Sequence, residues 1–207
     1  MNSGMVVILS GPSGAGKGTI LELGIELLKK VGLDTALSVS TTTRTQALTE
    51  IDGIHYNFTT AEKFRELLRA GHFAEYNIYG ADYYGTPRSN IKSAVESGRI
   101  LFVEIDLNGM RQIKSLYPEA VTIFVMPPSM HLLRERIMSR KRDSDTPEKI
   151  KYRISRAAEE IKCADEYDYI IVNDTLSDAV DDFVSIIKAE SRKSIRIKNI
   201  IKEVLSV

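Results

Sequence analysis

The segment Gly11-Pro-Ser-Gly-Ala-Gly-Lys17 constrains the fold of this chain more than any other feature. It fits the pattern G-x4-G-K and lies between an apolar run, Met5 to Ser10, and a helical apolar pattern that stops at Gly32. In such a loop, glycines let successive backbone N–H groups point into one concavity, and the helix start adds the positive end of its dipole. We therefore predict a phosphate-binding loop (P-loop) in which Lys17 reaches the β- and γ-phosphates of a nucleotide.

Three more apolar runs predict buried strands, at Ile100–Ile105, Val121–Met126 and Tyr169–Val172. Helical patterns alternate with them, at Asn90–Ser97, Gly109–Leu116, Ser129–Met138, Lys149–Cys163 and Ser177–Glu190. Alternation of this kind predicts an α/β fold with a parallel sheet and helices on both faces.

A chain of 207 residues with 43% hydrophobic content can bury one sizeable core and carry small insertions. Short alternating strand signals rich in Thr, Tyr and Gly predict a small β-rich insertion, and the charged run 139–153 predicts a solvated flap. One domain is expected, divided into a core (1–36, 88–128 and 154–190), the insertion (37–87), a mobile lid (129–153) and a basic amphipathic C-terminal helix (191–207).

Composition limits the partners. Lys+Arg and Asp+Glu both total 28, so no net field draws the chain to nucleic acid or to an anionic membrane. The single cysteine, Cys163, cannot form an intrachain disulfide, which fits a reducing compartment. The apolar stretch Met5–Leu9 is too short for a signal segment or a membrane span. We expect a cytosolic protein whose partners are small anions bound at local sites, and a C-terminal tail that docks or is solvated.

Four further motifs follow the P-loop in order: SVSTTTR at 38–44, DGIHYNF at 52–58, FAEYNIYGADYYGT at 73–86 and VEIDLNG at 103–109. Together they resemble the guanylate kinase family, and the resemblance extends to IVND at 171–174. It implies a P-loop nucleoside monophosphate kinase that transfers the γ-phosphate of Mg·ATP to GMP, and to dGMP, in purine nucleotide metabolism. ATP and GMP are the implied small-molecule substrates, and Mg²⁺ is the implied cofactor.

The resemblance also implies where GMP binds, namely on the β-rich insertion. It places Arg44, Tyr56 and Tyr84 around the GMP phosphate. It places Ser40, Glu75, Thr86 and Asp106 around the guanine. A carboxylate suits guanine because it accepts the N1–H and N2–H₂ donors together, whereas adenine presents an acceptor at N1. Thr86 is expected to donate to guanine O6.

The same resemblance implies an ATP site. Its residues are Gly11, Pro12, Ser13, Gly14, Ala15, Gly16, Lys17, Gly18, Thr19 and Asn173, the last near the adenine. The expected catalytic cations are Lys17, Arg44 and the lid arginines Arg136, Arg140, Arg142 and Arg153. These charges would stabilise the phosphoryl group in transfer, and spacing does not tell Arg140 from Arg142.

Two departures from the family pattern bear on the chemistry. Gly18 stands where Ser or Thr usually binds Mg²⁺, so we expect no direct protein ligand and only water-mediated contact from Glu104 or Asp106. Ala47 replaces a second phosphate-binding arginine, which leaves the GMP phosphate under-charged unless Arg88 fills the space.

Two alternatives remain open. Domains of this family also occur as non-catalytic scaffolds, although these usually lose the P-loop glycines or the lysine that Lys17 represents. A kinase for another nucleoside monophosphate is the second alternative, and the Glu75, Thr86 and Asp106 pattern argues against it.

Overall fold

The computed structural model describes residues 4–139, 146–197 and 203–206. The strands are Met5–Ser10 (β1), Thr35–Leu37 (β2), Thr41–Thr42 (β3), Asn57–Phe58 (β4), Phe73–Tyr79 (β5), Asp82–Pro87 (β6), Ile100–Glu104 (β7), Val121–Met126 (β8) and Tyr169–Val172 (β9). The helices are Lys17–Lys30 (α1), Ala61–Arg69 (α2), Arg88–Ser97 (α3), Leu107–Leu116 (α4), Met130–Ser139 (α5), Pro147–Lys162 (α6) and Leu176–Ser191 (α7).

Five strands form a parallel sheet in the order β2-β7-β1-β8-β9. Every residue of the central strand β1 is buried, because helices cover both faces of the sheet. On one face Leu28 of α1 and Phe183 of α7 are fully buried, and on the other face Ile91 of α3 and Ile113 of α4 are fully buried. The predicted α/β class is confirmed. Carboxyl ends of parallel strands meet at one edge, so this edge carries the loops that follow β1 and β7.

A second sheet has the order β4-β3-β6-β5 and mixes parallel and antiparallel pairs. Helix α2 covers one face of it, where Phe64 stacks on Phe73 with 4.4 Å between ring centroids. The opposite face, which carries Glu75 and Tyr84, is left to line a cavity. Sequence analysis missed α2, whose nine residues contribute only Phe64 to the core, and did not assign β2 to the main sheet.

Helix bounds differ slightly from expectation because polar caps fix them. Asp106 accepts the Gly109 N–H at 3.0 Å and starts α4 before Gly109. Thr146 caps α6, whose first residue is Pro147, so the last seven residues of the expected flap at 139–153 are helical. Arg140 and Arg142 lie outside the described residues.

The C-terminal tail also differs from expectation. Residues 192–197 form turns rather than a basic helix, and residues 203–205 are helical, whereas 198–202 and 207 of the expected helix lie outside the described residues. The reason is an anchor: Arg196 is 7% exposed, donates to the Glu119 carbonyl at 2.9 Å and lies 3.6 Å from the buried Glu190 carboxylate. Burying this cation against a carboxylate and a carbonyl favours a turn over a solvated helix. In the part of the chain that the structure describes, no helix is long and apolar enough to cross a membrane.

Candidate active site

The loop between β1 and α1 has a shape that its glycines permit. Gly14 and Gly16 have φ values of 92° and 95°, a backbone conformation that residues other than glycine rarely adopt. Gly16 also precedes the first turn of α1, so the free N–H groups of that turn face the loop. The Asn173 amide donates to the Ala15 carbonyl at 2.7 Å, and a Cβ on Gly16 would lie 2.2 Å from that amide nitrogen. The loop conformation therefore needs glycine at Gly16 and is fixed from β9 by Asn173.

Lys17 is held in the loop by backbone carbonyls. Its ammonium nitrogen donates to the Gly11 carbonyl at 2.8 Å and to the Pro12 carbonyl at 3.3 Å. The Glu104 carboxylate lies 3.8 Å away at the end of β7. The cation is thus placed at the mouth of the anion-binding concavity, where a phosphate oxygen can replace a carbonyl as its partner.

A cavity of about 300 Å³ lies between the P-loop and the second sheet. Its lining residues are Gly11, Ser13, Lys17, Ser40, Tyr56, Glu75, Asn77, Tyr79, Tyr84, Glu104, Ile105, Asp106 and Glu160. The structure therefore brings the P-loop lysine together with five of the residues predicted to surround GMP.

At one end of this cavity, Glu75 is 4% exposed and accepts the Thr86 hydroxyl at 2.6 Å. Burial, with a smaller contribution from the negative charge of Asp106, raises the pKa of Glu75 to about 7. Thr86 is fully buried, and its hydroxyl donates to Glu75 rather than being free to donate to a base. The expected bond from Thr86 to guanine O6 is therefore not available in this arrangement.

The raised pKa of Glu75 predicts that GMP affinity depends on pH. Guanine donors require an ionised carboxylate, so affinity should fall as pH drops through about 7. Lowering the pH from 8 to 6 should weaken binding about 10-fold beyond the titration of the GMP phosphate itself. Calorimetry of GMP binding across this range measures the effect, and Glu75→Gln serves as the reference that lacks it. If GMP affinity changed equally with pH in the wild type and in Glu75→Gln, the placement of Glu75 against the guanine would be contradicted.

At the other end, Tyr56 and Tyr84 meet edge to face with 6.0 Å between ring centroids. Arg44 lies 5.5 Å from the Tyr56 ring centroid and donates to Glu50 Oε1 at 2.6 Å. The other Glu50 oxygen accepts the Ala47 N–H at 2.8 Å. The hydrogen bond to Glu50 raises the pKa of Arg44, and sequence analysis missed this partner. A phosphate bound here must compete with Glu50 for the Arg44 guanidinium.

Restoring a second cation at the exposed position 47 should strengthen GMP binding. We expect Ala47→Arg to lower the GMP KM roughly 5- to 30-fold, because one more charge-assisted bond forms at a partly exposed site. Arg88 does not supply that charge, since it donates to the Gly71 carbonyl at 3.0 Å and lies outside the cavity lining. Titration of GMP into Ala47→Arg and Arg88→Ala tests both statements. Unchanged GMP affinity in Ala47→Arg together with a large loss of affinity in Arg88→Ala would contradict both statements.

A second cavity, of about 270 Å³, lies on the other side of the P-loop and is lined in part by Thr19, Arg136 and Asn173. Both terminal nitrogens of Arg136 donate to the Asn173 carbonyl oxygen at 3.3 Å. Arg153 instead reaches the loop itself and donates to Ser13 Oγ at 2.7 Å. The Asn173 amide nitrogen donates to the Ala15 carbonyl, so Asn173 shapes the loop while it also lines this second cavity, and its place near the adenine stays a prediction.

Asp106 does not stand free for a metal ion. One oxygen caps α4, and Oδ2 accepts from Asn77, Tyr79 and Arg156. Glu104 is 41% exposed and beside Lys17, which makes it the better carboxylate for a water-mediated contact to Mg²⁺. Gly18 offers no side-chain oxygen, and the described residues hold no group of three His, Cys, Asp or Glu arranged as metal ligands.

Asn77, Tyr79 and Arg156 were not predicted from the sequence. Asn77 and Tyr79 follow Glu75 at intervals of two along β5, so strand alternation alone would have placed them on its cavity face. Arg156 carried no such signal, because it comes from α6 across the cleft.

A P-loop at the carboxyl edge of a parallel sheet, facing a carboxylate and two tyrosines on a second sheet, defines a P-loop kinase with separate donor and acceptor sites. Residues 3–190 match the family model described as guanylate kinase. Guanylate kinase of Carboxydothermus hydrogenoformans is 42% identical over 95% of this chain and 94% of its own length. Guanylate kinase of Clostridioides difficile is 43% identical over 98% and 96%. The crystal structure of guanylate kinase from Anaplasma phagocytophilum matches with a TM-score of 0.77 and 29% identity, covering 100% of this chain and 97% of that one.

The chain therefore belongs to the guanylate kinase family. The enzyme class expected from the sequence, an ATP:GMP phosphotransferase, is confirmed with it. The roles assigned to individual site residues stay predictions.

Proposed function

We propose that this chain transfers the γ-phosphate of Mg·ATP to GMP, giving ADP and GDP, and that it accepts dGMP as well. The observation that carries the assignment of residues is the cavity that joins Lys17 at one end to Glu75 at the other. A guanine bound at Glu75 would direct its phosphate toward Tyr84 and Arg44. The ATP phosphates would lie on the P-loop.

The GMP phosphate is already a competent nucleophile, so the protein supplies alignment and positive charge rather than a general base. Lys17 leaves the Gly11 and Pro12 carbonyls for the β- and γ-phosphate oxygens. Arg153, already at Ser13, lies beside the P-loop and can meet the phosphoryl group in transfer. Arg44 exchanges Glu50 for the acceptor phosphate. Displacement of water from the cavity by both nucleotides limits hydrolysis.

Magnesium fits this site through the nucleotide. When bound with ATP, it would neutralise phosphate charge, and the exposed Glu104 carboxylate beside Lys17 would hold it through water. This arrangement suits an ion that keeps most of its hydration shell.

A coupled assay of ADP release with GMP, AMP, UMP and CMP as acceptors tests the proposal. We expect turnover with GMP that exceeds that with AMP by more than about 100-fold, because only guanine presents adjacent donors to Glu75. Turnover that prefers another base would favour a different monophosphate kinase. No turnover with any acceptor would favour a scaffold. Removal of Mg²⁺ by a chelator should abolish activity, and cytosolic location stays a prediction to be checked by fractionation.

A further inference from the structure

Asp106 is held from both sides of the cleft, more firmly than a helix cap requires. Its Oδ1 accepts the Gly109 N–H, whereas Oδ2 accepts the Asn77 amide at 2.7 Å, Arg156 Nη2 at 3.0 Å and the Tyr79 hydroxyl. Its side chain is 13% exposed. These bonds fix the plane of the carboxylate within the cavity that also contains Glu75.

Among the described donors to Oδ2, Arg156 alone carries a full positive charge. It comes from α6, and its guanidinium is itself held in place: Nε donates to Glu160 at 3.0 Å, and the group lies 4.8 Å from the Tyr79 ring centroid. A charge-assisted bond is about twice as strong as a neutral one. Because Glu75 is a second carboxylate in the same cavity, Arg156 also offsets the repulsion between two like charges.

We infer that Arg156 is a positioning residue that aims the Asp106 carboxylate at the 2-amino group of guanine, and so discriminates GMP from IMP. The inference rests on the proposed GMP site. The Asn77 amide shows where an NH₂ group of a ligand can reach Asp106, since its own nitrogen lies 2.7 Å from Oδ2. On binding, the exocyclic amino group takes the place of the Asn77 amide, while Arg156 and Tyr79 stay in contact with Asp106.

IMP separates this role from general effects because it differs from GMP only in lacking the 2-amino group. It keeps the N1–H donor for Glu75 and the same phosphate for Arg44. A residue that acts through Asp106 should therefore change the use of GMP and leave the use of IMP nearly unchanged. A residue that only supports α6 or the lid should change both alike.

The test compares kcat/KM for GMP and IMP in Arg156→Ala, Arg156→Lys, Asp106→Asn and the double variant Asp106→Asn/Arg156→Ala. Arg156→Ala should lower kcat/KM for GMP about 5- to 30-fold, mainly through KM, with less than about a 3-fold change for IMP. Arg156→Lys should recover part of the loss. In the Asp106→Asn background, which keeps the capping oxygen, Arg156→Ala should add less than about 3-fold.

Arg111→Ala is the matched control, because Arg111 also pairs with a carboxylate, that of Glu166, and lies on α4, the helix that Asp106 caps, but outside the cavity. It should leave both substrates unchanged. Equal losses for GMP and IMP, multiplicative losses in the double variant, or no loss in Arg156→Ala would each overturn the inference. Melting temperatures show whether each variant is folded, and if Arg156→Ala is not, the Lys variant carries the same comparison. A wild-type protein that phosphorylates neither nucleotide would reject the proposed function, and this inference with it.

Discussion

Lys17→Ala should lower kcat by about 10²- to 10³-fold while GMP binding survives. Lys17 is the P-loop cation, and its ammonium already lies among the carbonyls of Gly11 and Pro12, where the β- and γ-phosphates are expected. Removing one preorganised donor to developing charge typically costs about 3–4 kcal/mol of transition-state stabilisation. The GMP contacts come from the second sheet and from Asp106, so the acceptor site should be intact.

Two measurements separate these effects: kcat from a coupled ADP assay, and the Kd of GMP from calorimetry. Lys30→Ala is the matched control, because it removes the same charge from the same helix, at an exposed position at the other end of α1. A Lys17→Ala protein that keeps more than about a tenth of the wild-type kcat would rule out the assigned role. Loss of GMP binding would show that the two sites are not independent.

Glu75→Gln should raise the GMP KM roughly 10- to 150-fold and narrow the preference over AMP. An amide offers one acceptor where the carboxylate accepts two guanine donors, and loss of a charged hydrogen bond costs about 1.5–3 kcal/mol. The substitution is conservative for the fold, since the amide oxygen can still accept the Thr86 hydroxyl. Steady-state kinetics with GMP and AMP measure the change, and unchanged GMP kinetics would place the base away from Glu75.

The same substitution should stabilise the protein at high pH. The folded-state pKa of Glu75, about 7, lies above its ordinary value of 4.5 because of burial. Its contribution to stability is therefore fully present below about pH 4.5 and is lost as pH rises through about 7. Glu75→Gln removes the buried charge, so at pH 8 we expect its free energy of unfolding to be about 1–2 kcal/mol higher than that of the wild type, with a much smaller gain at pH 5.

Chemical denaturation at pH 5 and pH 8 checks the sign. Glu66→Gln is the control, since Glu66 is an exposed carboxylate on α2 beside the second sheet and should leave stability unchanged within about 0.5 kcal/mol at both values. A loss of stability in Glu75→Gln at pH 8 would mean that the ionised carboxylate is paired in the folded protein.

Strong local patterns were sufficient for much of the fold. The strands β1 and β8 have the bounds that their apolar runs predict, because a strand buried on both faces needs an unbroken apolar sequence. The edge strand β9 also has its predicted bounds, although Ile170 and Val172 are exposed. Sequence analysis missed helix α2 although Phe64, Leu67 and Leu68 have helical spacing, because this short segment lies among strand signals and only Phe64 is fully buried. The tail at 192–197 was expected to be helical from its amphipathic pattern, but the burial of Arg196 against Glu190 sets its turns.

The sequence by itself determined the α/β class, the P-loop and the family, because these depend on local patterns and on motifs whose order along the chain is informative. It also named Lys17, Glu75, Tyr56 and Tyr84, which the fold brings to one cavity. Only the tertiary structure decided which residues hold the other site groups in place: Glu50 pairs with Arg44, Asn173 with the P-loop, and Arg156 with Asp106. Asn173 and Arg156 come from elements distant in the chain, and Glu50 follows Arg44 by six residues of loop whose path no periodicity predicts. Whether a hydrogen bond forms depends on differences of a few tenths of an ångström in the donor–acceptor distance. Packing sets that distance, and the spacing of residues along the sequence does not predict it.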